Sequence, residues 1–162
     1  MKERLTRPLD GTGAAAAALQ IGETVAGREL KLTLARVLAF SGGAFDEPGW
    51  PHPNLHTNID KAREAGLDNI IASGTQSEGL LISLLIATFG REWQRSGTLD
   101  VRFLKPVSVG TVVRPMLRCT ARDVAPDSVH VSMQCWCQTE LGERVIDGTA
   151  QCAVPNADRD LA

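Results

Sequence analysis

Apolar and polar positions along this chain follow two rhythms. Glu29-Leu30-Lys31-Leu32-Thr33-Leu34 alternates with the period of a half-buried strand. Ala35 to Phe40 predicts a short helix, and the glycines and prolines between Ser41 and Pro53 predict a loop. Thr57-Asn58-Ile59-Asp60 has the form of a helix start, with Thr57 as N-cap, and Gly66 closes that helix. Ile70-Ile71-Ala72 is a short extended entry to the next helix. Thr75-Gln76-Ser77-Glu78 has capping-box spacing. The helix it opens, over 77–93, carries Leu80, Leu81, Ile82, Leu84, Leu85, Ile86, Phe89 and Trp93 on nearly every face. Such a helix must be wrapped by other structure. Strands then come at Gly97–Phe103, Gly110–Asp123 (broken by Pro115), Ser128–Thr139 and Arg144–Val154, with a turn at Glu140-Leu141-Gly142-Glu143. A buried helix followed by long antiparallel strands is an α+β plan in which a curled sheet covers one helix.

With 162 residues, one domain is expected: a loose arm over 1–20, a domain over 21–155 and a tail over 156–162. Net charge is -2 and there is no Tyr, so neither a basic footprint nor an aromatic platform for nucleic acid is present. Met1-Lys2-Glu3-Arg4 leads to Pro8, Asp10 and Gly11 rather than to an apolar h-region. The alanine run Ala14–Ala18 is too short for a membrane span. A cytoplasmic protein with no membrane partner is expected. Cys119, Cys135, Cys137 and Cys152 all fall in strand-like stretches without a ligand-pair pattern, so core thiols are expected and no metal.

The chemistry concentrates in two segments. Asn54-Leu55-His56-Thr57-Asn58 places an imidazole in a loop before a short helix, and Ile71-Ala72-Ser73-Gly74-Thr75-Gln76 places a glycine before the buried helix. An imidazole acts as acid or base near neutral pH. A helix N-terminus offers N–H groups and partial positive charge to an oxygen, and glycine lets that oxygen come close. Together they suit chemistry beside a carbonyl. Glu78 reads as a capping residue, and His52 and His130 as incidental. Arg91, Arg102 and Lys105 are dispersed cations, more in keeping with a solvated surface than with a phosphate site. No dinucleotide or P-loop glycine pattern is present, so no bound cofactor is expected.

These two segments, with Ala62-Arg63-Glu64-Ala65-Gly66-Leu67, Leu99-Asp100-Val101-Arg102-Phe103-Leu104-Lys105-Pro106-Val107 and Gly110-Thr111-Val112-Val113, carry a resemblance. From about Ile21 to Val154 the chain resembles the MaoC-like dehydratase and (R)-specific enoyl-CoA hydratase branch of the hot-dog superfamily. The resemblance implies a single hot-dog fold, a homodimer or higher homo-oligomer with sites between units, and water addition or removal at an enoyl thioester. The substrate would be a small molecule or an acyl thioester on coenzyme A or phosphopantetheine. It implies His56 as acid/base and the Gly74 N–H, with Ser73, as the site for the thioester oxygen. The family aspartate five residues before its histidine is Pro51 here, and the residue preceding the helix glycine is Ser73 rather than His. Asp46, beside Glu47, and Asn54 are the candidate replacements in a longer loop. Alternatives on the same scaffold are a thioesterase using Glu78, a non-catalytic unit paired with an active one, and a specialised enzyme whose apolar pocket is lined by Phe45 and Trp50.

Overall fold

The structure, a computed structural model, describes residues 5–6 and 14–156. In chain order the elements are β1 (Leu5–Thr6), α1 (Ala14–Ala17), β2 (Thr24–Ala26), β3 (Leu30–Lys31), α2 (Leu34–Ser41), α3 (Ile59–Glu64), α4 (Gly74–Phe89), α5 (Arg91–Ser96), β4 (Thr98–Phe103), β5 (Val112–Val124), β6 (Ser128–Thr139) and β7 (Arg144–Pro155). One seven-stranded sheet runs β1-β2-β5-β6-β7-β4, with β3 pairing β5 off that path. Among the described residues only β1 and β2 run parallel; the other pairings are antiparallel. The sheet wraps α4, giving the α+β class that the patterning predicts and the hot-dog arrangement that the resemblance implies.

Alternation builds the core. On β6, Val129, Val131, Met133, Cys135 and Cys137 are buried against the helix side. Trp136, on the other face, is covered instead by the Arg144 guanidinium, 4.5 Å from the ring centroid, and its Nε1–H donates to Gln138 Oε1 at 2.7 Å. From α4, Leu81, Leu84, Leu85 and Phe89 enter the same core. Burying each of these large side chains is worth about 1.5–3 kcal/mol, which outweighs the helix's own marginal stability. Gly148 on β7 lies opposite Val101 and Cys135, where a Cβ would stand 2.1 Å from the Asp100 carbonyl oxygen. Only a glycine permits the close approach of β4 and β7 there.

Several local expectations change. The helix over 77–93 is two helices, because Gly90 (φ 60, ψ -136) ends α4 before α5 begins. It starts at Gly74 with Ser73 in the N-cap position, so the Thr75 to Glu78 spacing is not a capping box. α3 is capped by Asn58, whose Oδ1 accepts from the N–H groups of Asp60 and Lys61, and not by Thr57. Pro115 does not break β5. Its carbonyl takes the Gly27 N–H, and its missing donor faces the gap where residues 27–29 leave the ladder between β2 and β3. The strand expected over 29–34 is shortened to Leu30–Lys31, since Thr33 caps α2. Within 1–20, the expected arm, Ala16, Ala17 and Leu19 are buried in the core. Of the 156–162 tail, all but Asn156 lies outside the described residues.

Candidate active site

The loop from Ser41 to Asn58 is braced by two side chains, Asn54 and Thr57. Asn54 Oδ1 accepts the His56 N–H at 2.8 Å, while its Nδ2 donates to Ser41 O at 2.9 Å and His52 O at 3.2 Å. Thr57 Oγ1 donates to His52 O at 2.6 Å and accepts from Asn54 N at 2.9 Å. These bonds tie the end of α2 to the start of α3 and fix the backbone on which His56 stands.

The His56 ring reaches across to the next segment, where its Nδ1 lies 2.9 Å from the Ile71 carbonyl oxygen. A carbonyl only accepts, so Nδ1 carries the proton in this bond. In the neutral ring, Nε2 then keeps its lone pair, the arrangement a general base needs. Ile71 is itself held by a bridge to Ser108, and Ala72 N donates to Val107 O at 2.8 Å. Both contacts fix the chain just before α4.

α4 opens beside this ring. Ser73 is extended (φ -61, ψ 139) and supplies no side-chain cap, so the N–H groups of Gly74 and Thr75 are first-turn donors without intrahelical acceptors. Ser73 Oγ lies 2.8 Å from Thr75 Oγ1, so one of the two hydroxyls donates to the other. A Cβ on Gly74 would come within 2.8 Å of Phe103 Cδ1 and Cε1. The glycine therefore admits the Phe103 ring of β4 against the helix mouth.

His56, Ser73, Gly74, Thr75 and Ser77 share one cavity of about 410 Å³ with Ile71, Ala72, Phe103, Leu104, Lys105, Pro106, Val107, Val145 and Ile146. Such a volume suits a small ligand or the reactive end of a larger one. The walls are mostly apolar, which strengthens any hydrogen bond made inside. No carboxylate is among these lining residues. The single lining cation, Lys105, is ion-paired with Glu143.

Of the residues expected at the site, His56, Ser73 and Gly74 come together, and Asp46 and Asn54 do not line the cavity. Asp46 sits on an exposed turn, and its neighbour Glu47 pairs with His52 Nε2 at 2.9 Å. Asn54 has its amide committed to the loop. Phe45 and Trp50 pack on each other, with ring centroids 4.8 Å apart, and are not cavity walls. Glu78 is also outside the lining, one residue and so about 100° round the helix from Ser77. Arg102 borders a separate polar groove with Asp100 and Asp147. Phe103, Ser77 and the β7 residues Val145 and Ile146 were not among the site residues expected from the sequence. Phe103 carried a signal, as it ends the strand after the helix; Ser77 carried none, lying at the head of an apolar run.

The cysteines are inert by position. All four are free and buried, and burial pushes the thiols of Cys135 and Cys137 up to about 12. Among the described residues no group of three or more His, Cys, Asp and Glu side chains is placed to hold a metal ion. No helix among them is long and apolar enough to cross a membrane.

A helix wrapped by a curled antiparallel sheet, with a histidine and an apolar-walled cavity at the open mouth of that helix, defines a hot-dog domain. Residues 18–139 match the family model described as the MaoC like domain, and the chain belongs to that family. The comparison with curated proteins returned no match. Among solved structures, the MaoC-like dehydratase from Rhodospirillum rubrum is similar at 22% identity and TM-score 0.69, covering 86% of this chain and 94% of that one. The unliganded R-hydratase PhaJ1 from Pseudomonas aeruginosa is similar at 22% identity and TM-score 0.65, covering 89% and 87%. The ChsH1-ChsH2 complex from Mycobacterium tuberculosis contains a chain similar at 15% identity and TM-score 0.64, covering 83% and 98%. At these identities the likeness is one of fold.

Proposed function

We propose that this domain is a hydratase or dehydratase acting on an α,β-unsaturated acyl thioester carried by coenzyme A or phosphopantetheine. The observation that carries this reading is that His56, with Nδ1 committed to Ile71 O, shares a cavity with the unsatisfied first turn of α4. In hydration, Nε2 takes a proton from water as the oxygen bonds to the β-carbon. The double-bond electrons move through the α-carbon to the carbonyl oxygen, and the enolate charge is met by the Gly74 and Thr75 N–H groups. The imidazolium then returns a proton to the α-carbon. Dehydration is the reverse. Pro51 stands where the family aspartate is expected, and no carboxylate lines the cavity, so His56 makes both proton transfers. The cycle needs no bound cofactor.

The experiment supplies crotonyl-CoA and longer enoyl-CoAs to the purified protein and follows loss of the conjugated absorbance, with free thiol measured in parallel. Absorbance loss without thiol release is expected. Thiol release would instead indicate thioester hydrolysis, and silence in both assays removes the proposal.

The missing carboxylate also favours a second reading, a non-catalytic unit that pairs with an active one. Under it the protein alone is inactive and copurifies with a second hot-dog chain. On the first reading the domain works as a homodimer, since Leu80 and Ile82 remain only half-buried and Ile86 exposed on α4. A solution mass of two chains or a multiple is expected.

A further inference from the structure

One polar group in the cavity has no use within the chain. Ser77 is 1% exposed, lines the cavity, and its Oγ has no hydrogen-bond partner among the described residues. Two hydroxyls further along α4 show what a helical hydroxyl does when it serves only the fold. Ser83 Oγ donates to Gly79 O at 2.7 Å and Thr88 Oγ1 to Leu84 O at 2.8 Å, each closing on the carbonyl four residues back. Ser77 does not close on Ser73 O, which accepts from Gln76 N at 3.0 Å instead. Nor is the turn loose: Cys137 Sγ donates to Ser77 O at 3.4 Å, tying this turn to β6.

A buried hydroxyl left unpaired opposes folding, and alanine would fit the same place without that cost. Geometry says where the group is used. Ser77 lies three residues after Gly74, on the same helix face, and helical side chains tilt toward the N-terminus. Its Cβ thereby leans toward the helix mouth, and the residue lines the cavity there. The nearby hydroxyls of Ser73 and Thr75 are bonded to each other, one donating and the other accepting, whereas Ser77 Oγ has no partner among the described residues.

Building on the proposed hydratase reading, we propose that Ser77 is a substrate-binding residue whose Oγ–H donates to the thioester carbonyl oxygen, beside the backbone N–H groups of the first turn. Its bond strengthens as the oxygen gains charge, so Ser77 acts on the rate more than on affinity.

The test compares wild type, Ser77→Ala and Ser83→Ala for crotonyl-CoA hydration, melting temperature, and binding of the unreactive butanoyl-CoA by calorimetry. Ser77→Ala is expected to lower kcat about 10²-fold with a smaller change in KM, and to melt no lower than wild type. Ser83→Ala, which removes a hydroxyl already bonded at home, is expected to keep wild-type kcat. If wild type hydrates crotonyl-CoA and Ser77→Ala does so equally well, the Ser77 assignment fails and the hydratase reading stands. A loss of activity accompanied by a lower melting temperature assigns Ser77 a structural role and also overturns it. If wild type has no hydratase activity, that reading fails and butanoyl-CoA binding decides. Weaker binding by Ser77→Ala then upholds the carbonyl contact, whereas equal binding, or none by wild type, overturns it.

Discussion

Gly74→Ala separates the two uses of the glycine at the helix mouth. Gly74 is not at positive φ, so alanine is sterically allowed by its backbone. Replacing glycine in a helix gains about 0.5–1 kcal/mol through the unfolded chain. Against this, the new Cβ stands 2.8 Å from two Phe103 ring carbons, so the ring must retreat by roughly 1 Å to reach ordinary contact distance. Phe103 is 52% exposed and free to swing. The net change in stability should stay within about 1 kcal/mol. Catalysis should not be so forgiving, because the methyl, standing beside the first-turn N–H groups, crowds the helix mouth where an oxygen must approach them. Losing one such donor costs about 2.7–4 kcal/mol of barrier, a rate loss of about 10²–10³. The assay is kcat/KM for enoyl-CoA hydration beside a melting curve. The double variant Gly74→Ala/Phe103→Ala removes the ring conflict and should remain slow. Hydration by Gly74→Ala within about threefold of wild type would refute the oxyanion assignment.

Asn54→Ala removes three hydrogen bonds that brace the loop. It should destabilise by about 2 kcal/mol, or roughly 4–8 °C in a thermal melt, with activity falling through His56 placement. Gly148→Ala drives a Cβ into the Asp100 carbonyl and Val101 Cα, backbone atoms that cannot swing aside. A loss of at least about 3 kcal/mol in denaturant unfolding, or failure to fold, is expected. With Cys135 and Cys137 pushed up to about 12, their thiolate forms are scarce at pH 8. Both should resist an alkylating reagent in the native protein, react on unfolding, and become more reactive only as pH rises towards that value, as mass spectrometry would show.

The long strands were legible because each carries an alternating buried face, as β6 does from Val129 to Cys137. The break in the central helix was not, because Gly90 is followed at once by the helix formers of Arg91-Glu92-Trp93-Gln94-Arg95. The capping-box spacing at Thr75 misled because the helix turns in one residue after Ser73, where no side chain caps it. His56 and Gly74 were recognisable as a pair from their segments. That they meet depends on a long-range link, the bridge from Ile71 to Ser108, which no local pattern records. Ser77 was hidden for the converse reason. Its residue type is unremarkable beside so many apolar neighbours, and only its buried, unpaired oxygen sets it apart.

The central claim is that His56 alone moves the protons of a hydration at the mouth of α4. Its most direct test is the steady-state rate of crotonyl-CoA hydration by wild type and His56→Ala, each shown to be folded by its melting curve. Loss of general acid–base catalysis predicts a fall of about 10²–10⁴ in kcat. Turnover by His56→Ala at the wild-type rate would contradict the account.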